Sequence, residues 1–234
     1  MNGTSAAKFD PTRTNEFARQ SRIGLAGYEA CHELAACMLS AALGQASTAT
    51  VLVAGAGGTG NEIINAGRLE PGWRFIAVDP SPPMLELAKS QIETAGLAGR
   101  TEFVPGLLAD LEHERQFDAA TLIGVLHHLP GDVAKRGMLS DLAIRLKPGA
   151  PLILAANHHA YDSDPLMMAA WGNRWRMNGA TPVEVRNKLG TILNGADPLP
   201  SEEAVFTLMT ETGFGAPKRF FSSLFWGAWI CFRN

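Results

Sequence analysis

The sequence predicts an α/β protein: a doubly wound, mostly parallel sheet with a terminal antiparallel hairpin and a helical lid insertion. Three observations predict it. Short apolar runs recur at 50–54, 74–78, 102–105, 118–123 and 151–155, and they are continuous rather than alternating, the pattern of strands buried on both faces. Helical segments separate them at the close spacing of β-α-β units. A glycine cluster, Gly55-Ala56-Gly57-Gly58-Thr59-Gly60, comes directly after the first run.

Taken in order, residues 1–20 are polar and read as a flexible N-terminal arm able to fold over a ligand. The domain itself fills 21–234. Residues 28–43 form an amphipathic helix. Thr50–Ala54 is the first strand, Gly55–Gly60 its turn, and Asn61–Arg68 the next helix. Arg74–Val78 is the second strand. Ser81 caps a helix over Pro82–Ala95, with Pro83 in a first turn where its missing N–H costs nothing. Glu102–Pro105 and Asp118–Ile123 are strands three and four. A helix over Val133–Leu146 stops at Lys147-Pro148-Gly149, and Pro151–Ala155 is strand five. The rhythm then breaks. Residues 157–200, with Met, Gly and two Trp, read as the lid, and Glu202–Thr212 as a helix ending at Gly213. The aromatic runs 217–222 and 226–233 pair as the hairpin. This is a Rossmann-like order of elements.

Composition removes several functions. A chain of 234 residues holds one well-buried domain, not two full enzyme domains. The net charge of −3 and the lack of a dense Lys/Arg run speak against a nucleic-acid partner. No apolar run reaches the roughly 18 residues of a membrane span, and the N-terminus lacks the apolar core of a secretory signal. Cys31, Cys37 and Cys231 fit no disulfide or metal spacing and read as small buried thiols in a reducing, cytoplasmic setting. The adjacent His127 and His128 have no Cys, Asp or Glu at ligand spacing, so no metal is expected and the pair reads as a structural turn.

The glycine cluster lets the backbone turn tightly at a helix N-terminus and lets a ligand approach closely. Its Gly55, Gly57, Gly60 spacing also fits a dinucleotide fingerprint. Asp79, ending strand two, is placed to accept both hydroxyls of an adenosine ribose. Neither feature alone separates a nicotinamide from an adenosylmethionine site.

Four segments in a fixed order separate the two. They are Asp79-Pro80-Ser81-Pro82-Pro83-Met84-Leu85, Gly106-Leu-Leu-Ala-Asp110-Leu111, Val125-Leu126-His127-His128-Leu129 and Leu146-Lys147-Pro148-Gly149. Over about 50–156 this set resembles the class I S-adenosylmethionine-dependent methyltransferases. The resemblance implies S-adenosyl-L-methionine as cofactor. Gly55, Ala56 and Gly57 would line its methionine portion, Asp79 the ribose hydroxyls, Pro80 and Met84 the adenine, and Asp110 and Leu111 the adenine amino group. Gly124 and Val125 would meet the amino-acid end. The acidic residue usual two positions before the first glycine is Val53 here, so another group must meet the cofactor ammonium. Arg22-Ile-Gly-Leu-Ala-Gly27-Tyr28 is similar to a segment of the carboxy-S-adenosylmethionine-dependent tRNA uridine methyltransferases, which places Tyr28 over the cofactor. The arginine that group needs in its lid has no match at Asn187-Lys188-Leu189-Gly190, with Arg186 only nearby.

Asn157-His158-His159 comes after strand five, where ligands of open α/β sheets bind. His158 or His159 is thus a candidate base and Asn157 a substrate contact. Trp171 and Trp175, at i and i+4, share a helix face and offer either an aromatic substrate wall or lid core. The expected function is methyl transfer to an O, N or C nucleophile of a small, aromatic or heteroaromatic metabolite. Modification of a tRNA wobble uridine and a binding subunit without catalysis are the alternatives. The aromatic tail provides either core or a homodimer surface.

Overall fold

The computed structural model describes residues 14–44, 48–112 and 115–234. Seven strands form one sheet: β1 (Thr50–Ala54), β2 (Arg74–Asp79), β3 (Thr101–Pro105), β4 (Ala119–Ile123), β5 (Pro151–Asn157), β6 (Lys218–Ser223) and β7 (Trp226–Phe232). Their order is β3-β2-β1-β4-β5-β7-β6. The first five run parallel, and β7 pairs antiparallel with both β5 and β6. β1 and β5 are buried on both faces, as their unbroken apolar sequences require.

Alternate residues of each strand feed two cores. Val51, Val53, Ala119, Ile153 and Ala228 face the side covered by α2 (Tyr28–Leu43), α3 (Asn61–Leu69) and α4 (Pro82–Thr94). Leu52, Ala54, Leu122, Leu154 and Trp229 face α5 (Gly131–Arg145) and α8 (Glu202–Glu211). Each fully buried large apolar side chain contributes about 1.5–3 kcal/mol. The strand order reverses between β1 and β4, which opens a crevice at the carboxyl edge where an α/β sheet binds its ligand.

Two expectations are corrected by the fold. Residues 14–20 belong to a helix, α1 (Thr14–Gly24), rather than to a flexible arm; residues 1–13 of that arm lie outside the described residues. Cys37 is exposed, whereas Cys31 and Cys231 are buried. The lid consists of α6 (Pro165–Met177) and α7 (Pro182–Gly195), and α1 is locked to it. Helix ends leave carbonyls unpaired. Those of Arg22, Ile23 and Gly24 are taken by the Arg174 guanidinium, at 2.8 and 2.9 Å, and by the Trp171 indole N–H, at 2.8 Å. A cation at that end also opposes the helix dipole.

Trp171 and Trp175 are therefore lid core and not an aromatic wall. Trp171 packs on Tyr161 and Phe225, and Trp175 on Ile23 and Val185. One helix face carries both rings, as the spacing predicts, but α1 and the β6–β7 turn fill the space in front of it.

Candidate cofactor and acceptor site

The glycine turn is shaped by what surrounds it. Gly55 has φ +74°, and a Cβ there would stand 2.2 Å from Val125 Cγ2. A Cβ on Gly57 would meet Asp79 Oδ2 and Met84 Cβ, each at 2.6 Å. Gly58, at φ +112°, lies under the ring of Phe17 from α1. The ends of β1, β2 and β4 thus converge on one small volume.

Asp79 is 8% exposed. Its Oδ2 accepts the Gly57 N–H and its Oδ1 the Ser81 N–H, both at 2.8 Å. Burial pushes its carboxyl above the usual carboxylate range, against the pull of those two backbone N–H groups. Each oxygen keeps a lone pair beyond its backbone partner, which suits two adjacent hydroxyls. The Gly106 N–H donates to the Asp79 carbonyl at 2.9 Å, so the β2 and β3 ends sit side by side. Asp110 is exposed, and its Oδ2 accepts the Leu107 N–H at 2.7 Å.

The remaining sequence-derived positions divide. Tyr28 is buried, and its hydroxyl shares a 2.6 Å hydrogen bond with Thr59 of the glycine turn. Met84 begins α4 against the turn, and its carbonyl accepts the Gly58 N–H. Pro80 is exposed at the rim. Gly124, at φ +77°, and Val125 stand opposite Gly55. Ala56 and Leu111 turn their side chains into the two cores, which leaves only backbone to a ligand. Arg186 lies on an exposed stretch of α7.

One of the two candidate bases, His158, is turned away from the crevice. His158 is 1% exposed and lies on the α8 side of the sheet, against the Trp229 ring at 5.0 Å. Its backbone N–H and its Nδ1 both meet the Phe225 carbonyl, at 3.0 and 3.1 Å. The His159 ring meets it at 4.1 Å, tilted by 44°. The glycine turn, Tyr28 and the lid contacts of Asn157 are on the other face. One residue of strand register separates Asn157 from His158, and that step reverses the side chain. His158 is a clamp on the β6–β7 turn, where Leu224 has φ +50°.

That clamp has a pH signature. Burial, then the neighbouring His159, lowers the His158 pKa to about 4. A histidine whose folded pKa is depressed stabilises the fold fully above its unfolded value near 6.5, and that contribution is lost as pH falls from there towards 4. The amount is on the order of 3 kcal/mol. We expect urea unfolding to show a steep loss of stability between pH 7 and 4.5 that is markedly smaller in His158→Phe. Equal slopes in the two proteins would contradict the assignment.

Phe17, Tyr161 and Trp226 carry no motif and escape sequence reading, while Thr59 and Gly106 lie inside motif segments without a role of their own being legible there. Gly106 had a signal, since its φ of +149° and the Asp110 carboxylate, 2.5 Å from where its Cβ would be, both demand glycine. Asn157 is 3% exposed and donates through Nδ2 to the Tyr161 hydroxyl at 2.6 Å.

A strand order of 3-2-1-4-5-7-6, a glycine turn after β1 and a carboxylate ending β2 define the class I methyltransferase fold. Residues 53–152, somewhat less than half of the chain, match the family described as methyltransferase domain. No curated protein matches the sequence. Among solved structures, an O-methyltransferase family 2 protein from Planctomyces limnophilus, in complex with apigenin, is 18% identical. It has a TM-score of 0.68, with 99% of this chain and 63% of that one covered. The mitomycin 7-O-methyltransferase is 20% identical, with a TM-score of 0.63 and coverage of 95% and 60%. A third, 1,6-didemethyltoxoflavin-N1-methyltransferase from Burkholderia thailandensis, holds 1,6-didemethyltoxoflavin and S-adenosylhomocysteine. It is 20% identical, with a TM-score of 0.59 and coverage of 100% and 92%. The chain thus spans about three fifths of the first two proteins and nearly all of the third. At these identities the likeness establishes the fold. Among the described residues no helix is long and apolar enough to cross a membrane, and no group of three or more His, Cys, Asp or Glu is placed to hold a metal.

Proposed function

We propose that the protein transfers the methyl group of S-adenosyl-L-methionine to a small planar acceptor. The observation that carries this reading is Asp79, a buried carboxylate whose two oxygens each hold one backbone N–H and keep a free lone pair beside the glycine turn. Gly55 and Gly57 would admit the methionine portion, Gly124 and Val125 would flank its amino-acid end, and Tyr28 would close over the turn. Pro80, Met84 and Asp110 would border the adenine.

The cofactor supplies a methyl group already activated on a sulfonium. What is left to the protein is positioning and exclusion of water, and proximity of this kind can supply roughly 7–11 kcal/mol of a barrier. Such a reaction does not require a catalytic dyad, and His158 lies on the far side of the sheet from the glycine turn, against Trp229. The lid of α1, α6 and α7 is joined to the crevice by Phe17 and Tyr161, which suits it to cover a bound acceptor. The small acceptor is supported by the solved relatives, whose names specify mitomycin and toxoflavin chemistry.

The test is native mass spectrometry of the purified protein before and after addition of S-adenosylmethionine. The expected result is a one-to-one adduct with the mass of S-adenosylmethionine or S-adenosylhomocysteine. An adduct with a nicotinamide nucleotide in its place would overturn the reading.

A further inference from the structure

At the carboxyl edge of β5, two polar atoms are buried without a hydrogen-bond partner among the described residues: the side-chain oxygen of Asn157 and the indole N–H of Trp226. Folded proteins leave few such groups, because each forfeits its bonds to water. These two are neighbours. Asn157 and Trp226 face each other in the antiparallel pairing of β5 and β7, and directly opposed residues share a face with Cβ atoms about 4.5–5.5 Å apart. The face is that of the first core, on which Trp226 packs, together with α2 and the glycine turn.

The pair also borders the crevice beside Gly124, where the amino-acid end of the cofactor is proposed to lie. The far edge of the Trp226 ring comes within 3.7 Å of where a Gly124 Cβ would be. The same ring meets His127 edge-on at 5.0 Å. Both groups are held in place. With Nδ2 donating to Tyr161, itself wedged between Trp171 and Phe225, the Asn157 amide has its carbonyl oxygen left over. Trp226 adjoins Phe225, whose carbonyl His158 clamps from the opposite face. An unpaired acceptor on one strand and an unpaired donor on the residue paired with it suit a ligand edge that presents a donor beside an acceptor.

Resting on the cofactor site proposed above, we infer that Asn157 and Trp226 form the acceptor subsite and read the lactam edge of a planar heterocycle. The ring N–H donates to Asn157 Oδ1, and the adjacent ring carbonyl accepts from Trp226 Nε1. A phenolate or carboxylate has no proton for Oδ1 and meets a repulsive oxygen. A ring already methylated at that nitrogen is refused for the same reason. The methyl group therefore goes to another atom of the ring system than the one read here.

The full chain, saturated with S-adenosylhomocysteine, is titrated calorimetrically with 2-pyridone, uracil and lumazine, and with their fully N-methylated counterparts. At least one lactam is expected to bind, with its N-methylated form weaker by about tenfold or more, since a site built to pair a polar edge rejects an analogue lacking it. Trp226→Phe, which deletes the indole N–H, and Asn157→Leu should each weaken that lactam by a similar factor. Both should leave S-adenosylhomocysteine affinity unchanged, which also reports that they fold. The inference is overturned if none of the three lactams binds, if the methylated forms bind equally, or if both variants bind the lactam like the parent. Failure of the unaltered protein to bind S-adenosylhomocysteine overturns the cofactor reading instead, and this one with it.

Discussion

Replacing Asp79 by alanine is expected to weaken S-adenosylmethionine binding by about 10- to 150-fold, the equivalent of ~1.5–3 kcal/mol for hydrogen bonds to a charged group. The fold should survive. Asp79 is a carboxylate whose burial raises its pKa in the folded chain. For a carboxylate shifted in that direction, the stabilising contribution is present below the unfolded pKa and is lost as pH rises through the folded value. At neutral pH the ionised group is thus a burden on the empty protein, tolerated for its ligand. The variant loses the partner of the Gly57 and Ser81 N–H groups but is relieved of a buried charge, so its Tm should move little. Calorimetric titration together with a thermal melt checks both halves. Unchanged affinity in a folded variant would remove Asp79 from the site.

Gly57→Ala should be nearly as severe, through space rather than backbone conformation. The added methyl would lie 2.6 Å from both Asp79 Oδ2 and Met84 Cβ. Neither neighbour is the loose end of a long side chain, so the start of α4 must shift and carry Asp79 out of place. Overpacking of this kind costs about 1–3 kcal/mol, and cofactor affinity should fall by an order of magnitude or more as the carboxylate moves. Gly137→Ala is the matched control. It lies inside α5 with nothing within 4 Å of the new methyl, and there alanine should stabilise by about 0.5–1 kcal/mol. Chemical denaturation of the three proteins should order them Gly137→Ala above the parent and the parent above Gly57→Ala.

These predictions rest on the part of the chain that was most legible. The start and end of β1 and of α2 are readable from the sequence because local signals coincide there: a β-branched apolar run, a glycine turn, and capping glycines at both ends of one helix. The same holds for Asp79, whose place at a strand tip is fixed once the strand is. α1 was hidden because its sequence, TNEFARQSRIG, is polar and short. Its stability comes from the lid side chains that take up its last carbonyls from 147 to 152 residues away. Long-range satisfaction of that kind leaves no local trace. The two lid tryptophans were assigned to one face, and whether lid or substrate covers it stayed open, because periodicity gives a face and not what packs on it. His158 failed for a related reason. Its position after β5 is right for chemistry, yet strand alternation sends it to the opposite side of the sheet from Asn157, and the β6–β7 turn that engages it lies 67 residues further along. Trp226 carries no motif at all and acquires meaning only through its pairing with Asn157.

The most direct test of the central claim is a paired calorimetric titration of the full chain with S-adenosylhomocysteine and with NAD. Both ligands present an adenosine ribose to Asp79 and both are compatible with the glycine turn, so the comparison isolates what distinguishes this site. The account predicts one-to-one binding of S-adenosylhomocysteine, lost in Asp79→Ala, and no saturable binding of NAD. Saturable binding of NAD, or no binding of S-adenosylhomocysteine by the folded protein, would contradict it.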